Sequence, residues 1–304
     1  MKAAICTKYG PPEVVKIEER PKPLPKNNEI LIRVHTTTIT AADYRVRGAQ
    51  FPSFYKLIFP LLVGVGKPRK SILGLNLSGQ IEEVGKKVTK FKKGDWVFGT
   101  TGIFSSGAHA EYVTLPENAA LTIKPNTVSH EEAVAIIFGG NTALVFLRKA
   151  HIQKGQKVLI YGASGSVGTA AVQLAKYFGA EVTGVCSGAN MELVKSLGAD
   201  KVIDYTAEDF RNKDERYDVI FDAVGKITRS SCKKVLAKNG KYLDVMKGFA
   251  AANTENLRFL VELTKNGKHK AVIDKIYPLE RIVEAYTYAD TGRKKGNIVI
   301  KIAE

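Results

Sequence analysis

The stretch KVLIYGASGSVGTAAVQLAKYFG, residues 157–179, changes hydrophobic period in its middle. Residues 157–161 are a short run of β-branched and aliphatic side chains, the pattern of a strand buried on both faces. Residues 166–179 repeat apolar side chains at helical spacing and stop at Gly179. Gly162, Gly165 and Gly168 lie across the change, with Ser164, Ser166 and Val167 between them. Glycines at that spacing allow a tight turn, close approach of backbone to a pyrophosphate, and close packing of helix on strand. The helix N-terminus adds unpaired N–H donors and a partial positive charge. A glycine triplet alone would also suit a purely structural turn; its place between a strand and a helix makes dinucleotide binding the stronger reading.

Working outward, the same alternation continues. EVTGVC, beginning at Glu181, reads as a strand and NMELVKSLG as a helix ending at Gly198. KVIDY (201–205), YDVIFDAVG (217–225), a helix through Lys233, KYLDV (241–245) and a helix through Leu263 follow. Strands alternating with helices predict an α/β fold with a doubly wound parallel sheet. Ahead of this region the texture differs: short β-branched runs such as EILIRVHTT and WVFGT, broken by YGPP and PKPLPKNN, predict a smaller, mostly antiparallel β unit. After Lys268 a strand, a helix and the closing strand NIVIKIAE are expected. The resulting division is residues 1–122 with 268–304, and residues 123–267.

A chain of 304 residues has room for two packed units, and 44% hydrophobic with 25% charged residues is a globular composition. MKAAICTKYG lacks the apolar core of a secretory signal. The apolar stretch from Tyr55 to Val65 is about half the roughly 20 residues of a membrane helix, so a cytoplasmic protein without membrane insertion is expected. Lys and Arg outnumber Asp and Glu by 46 to 30, a net charge of +16. These basic residues are scattered and accompany no zinc-finger or RNP-type spacing, which argues against a nucleic-acid partner. They read as a solvated surface whose field also favours a polyanionic small molecule. Cys6, Cys186 and Cys232 fit no metal, redox or disulfide spacing.

The end of the second strand indicates which dinucleotide. An NAD site usually places an acid about 20 residues beyond the glycines, on the ribose 2′-OH. Here the segment is Cys186, Ser187, Gly188, Ala189, Asn190, with no carboxylate to repel a 2′-phosphate. Ser187 and Asn190 can donate to such a phosphate, as can the phenol of Tyr205, and NADPH is therefore favoured. The alternative for Asn190 is a helix cap.

TAADYRVRG (40–48), LGLNLSGQIEEVGKKVTKFKKGDWVFG (73–99), GAHAEYV (107–113), GGNTALVFL (139–147), GASGSVG and YADTGRKKGNIVIKI together resemble the medium-chain dehydrogenase/reductase superfamily in its zinc-independent, quinone oxidoreductase-like branch. The resemblance covers essentially the whole chain. It implies a GroES-like β domain built from both chain ends, a Rossmann domain between them, and an active-site cleft where the two meet. It further implies an NADPH-dependent reductase that passes hydride to a quinone or an α,β-unsaturated carbonyl. A zinc-free alcohol dehydrogenase, an enoyl reductase and a non-catalytic NADPH-binding protein are the alternatives.

No metal is expected. The zinc-dependent relatives carry an early Cys and a Gly-His-Glu segment where this chain has Thr40 and Gly74-Leu75-Asn76. His35, His109, His130, His151 and His269 are dispersed without ligand spacing and read as surface or packing residues. Without zinc, donors must hold the charge that develops on the acceptor oxygen; Tyr44, Arg45 and Thr40 are the candidates. Asp43 and Arg47 read as an ion pair holding their loop. The resemblance places Asn141 and Thr142 beside the nicotinamide, and Ala223, Val224 and Gly225 along its ribose. Val245 and Met246 end the next strand, with Lys295 and Asn297 in the closing segment. Asn76 is a loop-fixing or cleft residue, and Phe51, Phe54, Tyr55 and Phe59 suggest an apolar acceptor or a packed lid. Family members often form homodimers through the edge of the Rossmann sheet.

Overall fold

Residues 29–39, EILIRVHTTTI, form the longest strand of the protein, which a computed structural model describes over residues 1–50, 59–102 and 105–303. The elements in chain order are β1 (Lys2–Cys6), β2 (Val15–Glu19), β3 (Glu29–Ile39), α1 (Ala41–Arg47), α2 (Phe59–Val63), β4 (Asn76–Val84), β5 (Trp96–Thr100), β6 (Tyr112–Pro116) and β7 (Leu121–Ile123). There follow α3 (His130–Ala150), β8 (Lys157–Tyr161), α4 (Ser166–Tyr177), β9 (Glu181–Cys186), α5 (Met191–Ser196), β10 (Lys201–Asp204), β11 (Tyr217–Asp222) and β12 (Leu236–Asp244). The chain closes with α6 (Thr254–Lys265), β13 (Ile273–Pro278), α7 (Ile282–Asp290) and β14 (Asn297–Lys301). Two compact units result: residues 1–137, 252–261 and 273–304, and residues 138–251 with 262–272. Changes of sequence texture put the boundaries at 122, which lies in β7, and at 267, in the loop after α6, whereas the compact units divide inside α3 and α6.

In the first unit β13, β14, β3, β4, β5 and β7 lie side by side, with β6 also on β3. β14 runs antiparallel to β3, Ile298 opposite Ile39, so the closing segment completes the first unit's sheet. α7 presents Ile282, Ala285, Tyr286 and Ala289, one helical stripe, to a core that includes Ile39, Ile298 and Ile300. Each such aliphatic side chain taken fully from water stabilises the fold by roughly 1.5–3 kcal/mol.

The expected Asp43–Arg47 pair does not form. Thr40 caps α1 in a capping box: its hydroxyl accepts from the Asp43 N–H at 3.3 Å, while the Asp43 carboxylate accepts from Thr40 N (2.8 Å), Thr40 Oγ1 (2.6 Å) and Gly74 N (3.1 Å). The carboxylate is thereby captured at the start of its own helix. Arg47, at the other end, donates to both oxygens of Asp290 at 2.7 and 2.5 Å and to the Gly10 carbonyl at 2.9 Å, over the Tyr286 ring.

The second unit holds five parallel strands in the order β10-β9-β8-β11-β12. Phe146 of α3 stacks on Phe221 of β11 at 5.3 Å. The helix expected through Lys233 is absent; residues 229–235 form turns instead. There Thr228 Oγ1 accepts from Ser231 N and Ser231 Oγ from Thr228 N, each at 3.1 Å, a reciprocal pattern like that at a helix start, but the chain passes through turns into β12 at Leu236 before a helix can extend. The stretch from Tyr55 to Val65 is not the most apolar long segment of the chain. α3 is long and apolar enough to cross a membrane, but 78% of its apolar window is buried inside the protein, as in a core helix.

Two stability predictions follow from this packing. Arg47→Ala removes a fully buried side chain with its bonds to Gly10 and Asp290 and its packing on Tyr286, and should lower the unfolding free energy by about 2–3 kcal/mol, read from urea midpoints. Burial lowers the pKa of both His269 and His130 to about 4, against an ordinary value of 6.5. The unfolded chain therefore binds more protons between those values, and stability should fall as pH drops from 6.5 towards 4, as followed by thermal melting.

Candidate active site

The three glycines of the β8–α4 turn each answer a different steric demand. Gly162 has φ +79°, a left-handed conformation that suits glycine, and a Cβ there would lie 2.0 Å from Val224 Cγ2. A Cβ on Gly168 would lie 2.1 Å from the Gly162 carbonyl oxygen and 2.7 Å from Ala163 Cα, so α4 packs directly on the turn. Gly165 caps α4 with no side-chain hydrogen bond, and a Cβ there would find only the Gly162 carbonyl oxygen, at 3.6 Å. The middle glycine is therefore not needed for packing and leaves the first turn of α4 open to an anion. Gly139, in GGNTALVFL, lets α3 approach the Ser166 carbonyl, 2.2 Å from where its Cβ would stand.

Ser164, Ser187 and Asn190 come together beside this turn. Asn190 Nδ2 donates to Ser164 Oγ and Ser187 Oγ, both at 3.1 Å. Its side chain makes no helix cap, and its Oδ1 is buried without a partner. Tyr205 is exposed, its ring 6.4 Å from that of Tyr161. The expectation that no carboxylate lies here holds for residues 187–190 but not for their surroundings. Asp204 ends β10, in parallel register with Cys186, and its Oδ2 lies 2.5 Å from where a Cβ of Gly188 would stand.

Two buried carboxylates shape the loops at the carboxyl ends of β11 and β12. Asp222 accepts from Val224 N (3.0 Å), Gly225 N (2.7 Å) and Ile227 N (2.8 Å), fixing the Ala223-Val224-Gly225 turn. Burial pushes its pKa up, against the pull of those N–H donors. Asp244 accepts from Met246 N at 2.8 Å, holding Val245 and Met246 in a single turn. Asn141 and Thr142 are buried on α3, with Asn141 Nδ2 donating to the Ala250 carbonyl at 3.0 Å. Asp222 and Asp244 escaped the sequence reading; strand-ending acids ahead of a Gly-containing loop were the available signal.

The remaining candidates belong to the first unit. Thr40 is buried and committed to its cap. Tyr44 packs its ring against the α7 core, and Arg45 lies 6.0 Å from that ring. Lys295 N donates to Asp274, which also accepts from Tyr288 OH, and Asn297 is buried at the start of β14. Asn76 is a fixing residue: buried, it donates from Nδ2 to Thr38 Oγ1 at 2.9 Å. His109 is buried too, and its Nε2 faces the Thr38 carbonyl at 3.1 Å and must carry the proton. Its Nδ1 then accepts from Tyr286 OH at 3.3 Å. Burial lowers the pKa of His109 and raises that of Asp43. Phe51, Phe54 and Tyr55 lie outside the described residues, as does the side chain of Phe59.

Residues 26–126 match the alcohol dehydrogenase GroES-like domain family and residues 166–273 the zinc-binding dehydrogenase family. The chain is 33% identical to 2-methylene-furan-3-one reductase of Solanum lycopersicum, over 99% of this chain and 79% of that one. With the chloroplastic NADPH-dependent alkenal/one oxidoreductase of Arabidopsis thaliana it shares 30% identity, over 99% and 79%. The quinone oxidoreductase structure from Coxiella burnetii superposes with a TM-score of 0.86 at 29% identity, over 100% of this chain and 99% of the other. The chain belongs to the medium-chain dehydrogenase/reductase superfamily. Within that superfamily it falls in the quinone oxidoreductase-like branch.

The residues present fit a nicotinamide dinucleotide: an uncapped helix N-terminus, an open position at Gly165, and an orphaned amide oxygen on Asn190. Pyrophosphate would lie on Gly165, Ser166 and Val167, and the adenosine ribose by Ser187 and Asn190. Gly165→Val should leave thermal stability nearly unchanged yet weaken dinucleotide binding at least about tenfold. Gly168→Ala should instead cost about 1–3 kcal/mol of stability through overpacking. Melting curves and calorimetric titration with the dinucleotide separate the two.

Proposed function

We propose that this protein is a zinc-independent reductase that prefers NADPH and transfers hydride to a quinone or to the β-carbon of an enal or enone. The carrying observation is the turn of residues 187–190, where Ser187 Oγ accepts from Asn190 and keeps its own O–H to donate, beside an uncapped helix and with no acid in the turn itself. Relatives whose names specify a furanone reductase, an NADPH-dependent alkenal/one oxidoreductase and a quinone oxidoreductase support the acceptor class. Zinc independence is supported by the donor set. Where zinc-dependent relatives carry the early Cys and Gly-His-Glu, this chain has Thr40, whose hydroxyl is spent on the Asp43 carboxylate, Leu75, an apolar buried side chain, and Asn76, whose amide is spent on Thr38. Among the described residues no group of three or more His, Cys, Asp or Glu is placed to hold a metal ion.

Bound NADPH would supply the hydride. The protein must then stabilise an enolate or hydroquinone oxygen and deliver a proton. Tyr44 and Arg45 are neighbours on α1, whose start is locked by the Thr40–Asp43 capping box, so both side chains project from a rigid turn. The phenol of Tyr44 can donate to the acceptor oxygen and then protonate it or its α-carbon; the Arg45 guanidinium can share the negative charge. We further propose a homodimer assembled at the β12 edge, the outer strand of the parallel sheet.

Tyr44→Phe should lower kcat with an enone by at least about tenfold while leaving the NADPH dissociation constant within about twofold. An unchanged kcat removes Tyr44 from the chemistry. Prolonged dialysis against a chelator should leave turnover intact; loss restored by zinc would overturn the metal-free reading.

A further inference from the structure

Asp204 stands where the cofactor reading would place the adenosine ribose. Gly188 follows β9 by two residues, and only the absence of its side chain lets the Asp204 carboxylate come so near, since a Cβ would lie 2.5 Å from Oδ2. The other oxygen, Oδ1, accepts from Thr206 N at 2.9 Å and Thr206 Oγ1 at 2.7 Å. Those bonds, the Thr206 hydroxyl first, and a further one from the Gly188 backbone hold its carboxyl below the usual range. Asp204 is therefore an anion at neutral pH, with its position set from both sides.

The same corner carries a second acceptor, the buried and unpartnered Oδ1 of Asn190. Its neighbours Ser164 and Ser187 already receive the amide's N–H donors. A 2′-hydroxyl can donate to either acceptor, whereas a 2′-phosphate has nothing to give them and adds its own negative charge beside Asp204. Rotation of the Asn190 amide exchanges these roles: Oδ1 then accepts from the serine hydroxyls and Nδ2 turns towards a phosphate. Asn190 can thus serve either ligand, but Asp204 cannot.

We infer that Asp204 is the specificity-determining residue that keeps NADH a working cofactor alongside NADPH, by setting a fixed negative charge beside the 2′ position. The inference rests on the reading of this turn as a dinucleotide site. Ser187, Asn190 and Tyr205 draw the 2′-phosphate; Asp204 opposes them. The outcome is a modest preference for NADPH. The charge acts by through-space repulsion from an exposed position, so its effect shrinks as salt rises.

The test is the dissociation constants of NADPH, NADH, 2′,5′-ADP and AMP for the wild type and for Asp204→Asn, at low and high salt. Asparagine keeps one oxygen as the acceptor for Thr206, turns its amide nitrogen towards Gly188 and removes the charge, so the melting temperature should fall only slightly, by the loss of one exposed hydrogen bond. The wild type should bind both NADPH and NADH. Asp204→Asn should tighten NADPH and 2′,5′-ADP at least about threefold at low salt, less at high salt, and leave NADH and AMP unimproved. An unchanged NADPH-to-NADH ratio in the variant, or a wild type blind to NADH, overturns the inference while the dinucleotide site stands. Failure of the wild type to bind any of the four ligands overturns the site itself.

Discussion

The contact between Gly168 and the Gly162 carbonyl sets the geometry of the second unit. With 2.1 Å between that oxygen and the place a Cβ would occupy, α4 cannot rise off β8 without opening the core beneath Ala170, Ala171 and Leu174, all buried. The helix start is thereby held at the carboxyl end of the sheet, where β9, β10, β11 and β12 also end. Each of those ends contributes a side chain to one line of loops: Ser187, Asp204, Asp222 and Asp244. Parallel strands put these residues side by side because every strand runs the same way.

The first unit solves a different problem, that of holding a short helix in place. α1 has only seven residues, too few to be stable by itself. Its start is fixed by the Thr40–Asp43 box and by Gly74, its end by Arg47 on Asp290. His109 and Tyr286 continue the buried polar chain between them. Burying so many polar groups costs desolvation, and the structure offsets it with hydrogen bonds: Asp43 accepts three. Asp43 and Arg47, on the same helix as the proposed donors Tyr44 and Arg45, are given wholly to structure.

What the sequence made legible follows local pattern. β8, α4, β9 and β11 were readable because buried parallel strands are continuous apolar runs and because the glycine turn changes the period between them. Long-range partners were not. Asp43 and Arg47 sit four apart on a helix and look like a pair, yet the true partner of Arg47 lies 243 residues away. Asp204 was hidden for a similar reason: residue order separates it from Gly188, and only the register of β10 on β9 brings them together. The helix expected through Lys233 is replaced by turns because β12 begins at Leu236, five residues after the Thr228–Ser231 bonds that resemble a helix start.

The most direct test of the account follows the hydride itself. The protein, freed of metal by chelation, would be given an α,β-unsaturated ketone and NADPH deuterated at the transferable position, and the product analysed by mass spectrometry and NMR. The account predicts a saturated ketone carrying one deuteron on the carbon β to the carbonyl. A deuteron on the carbonyl carbon, giving an allylic alcohol, would contradict it and mark the protein as an alcohol dehydrogenase; no transfer, despite bound NADPH and a panel that includes quinones, would contradict catalysis altogether.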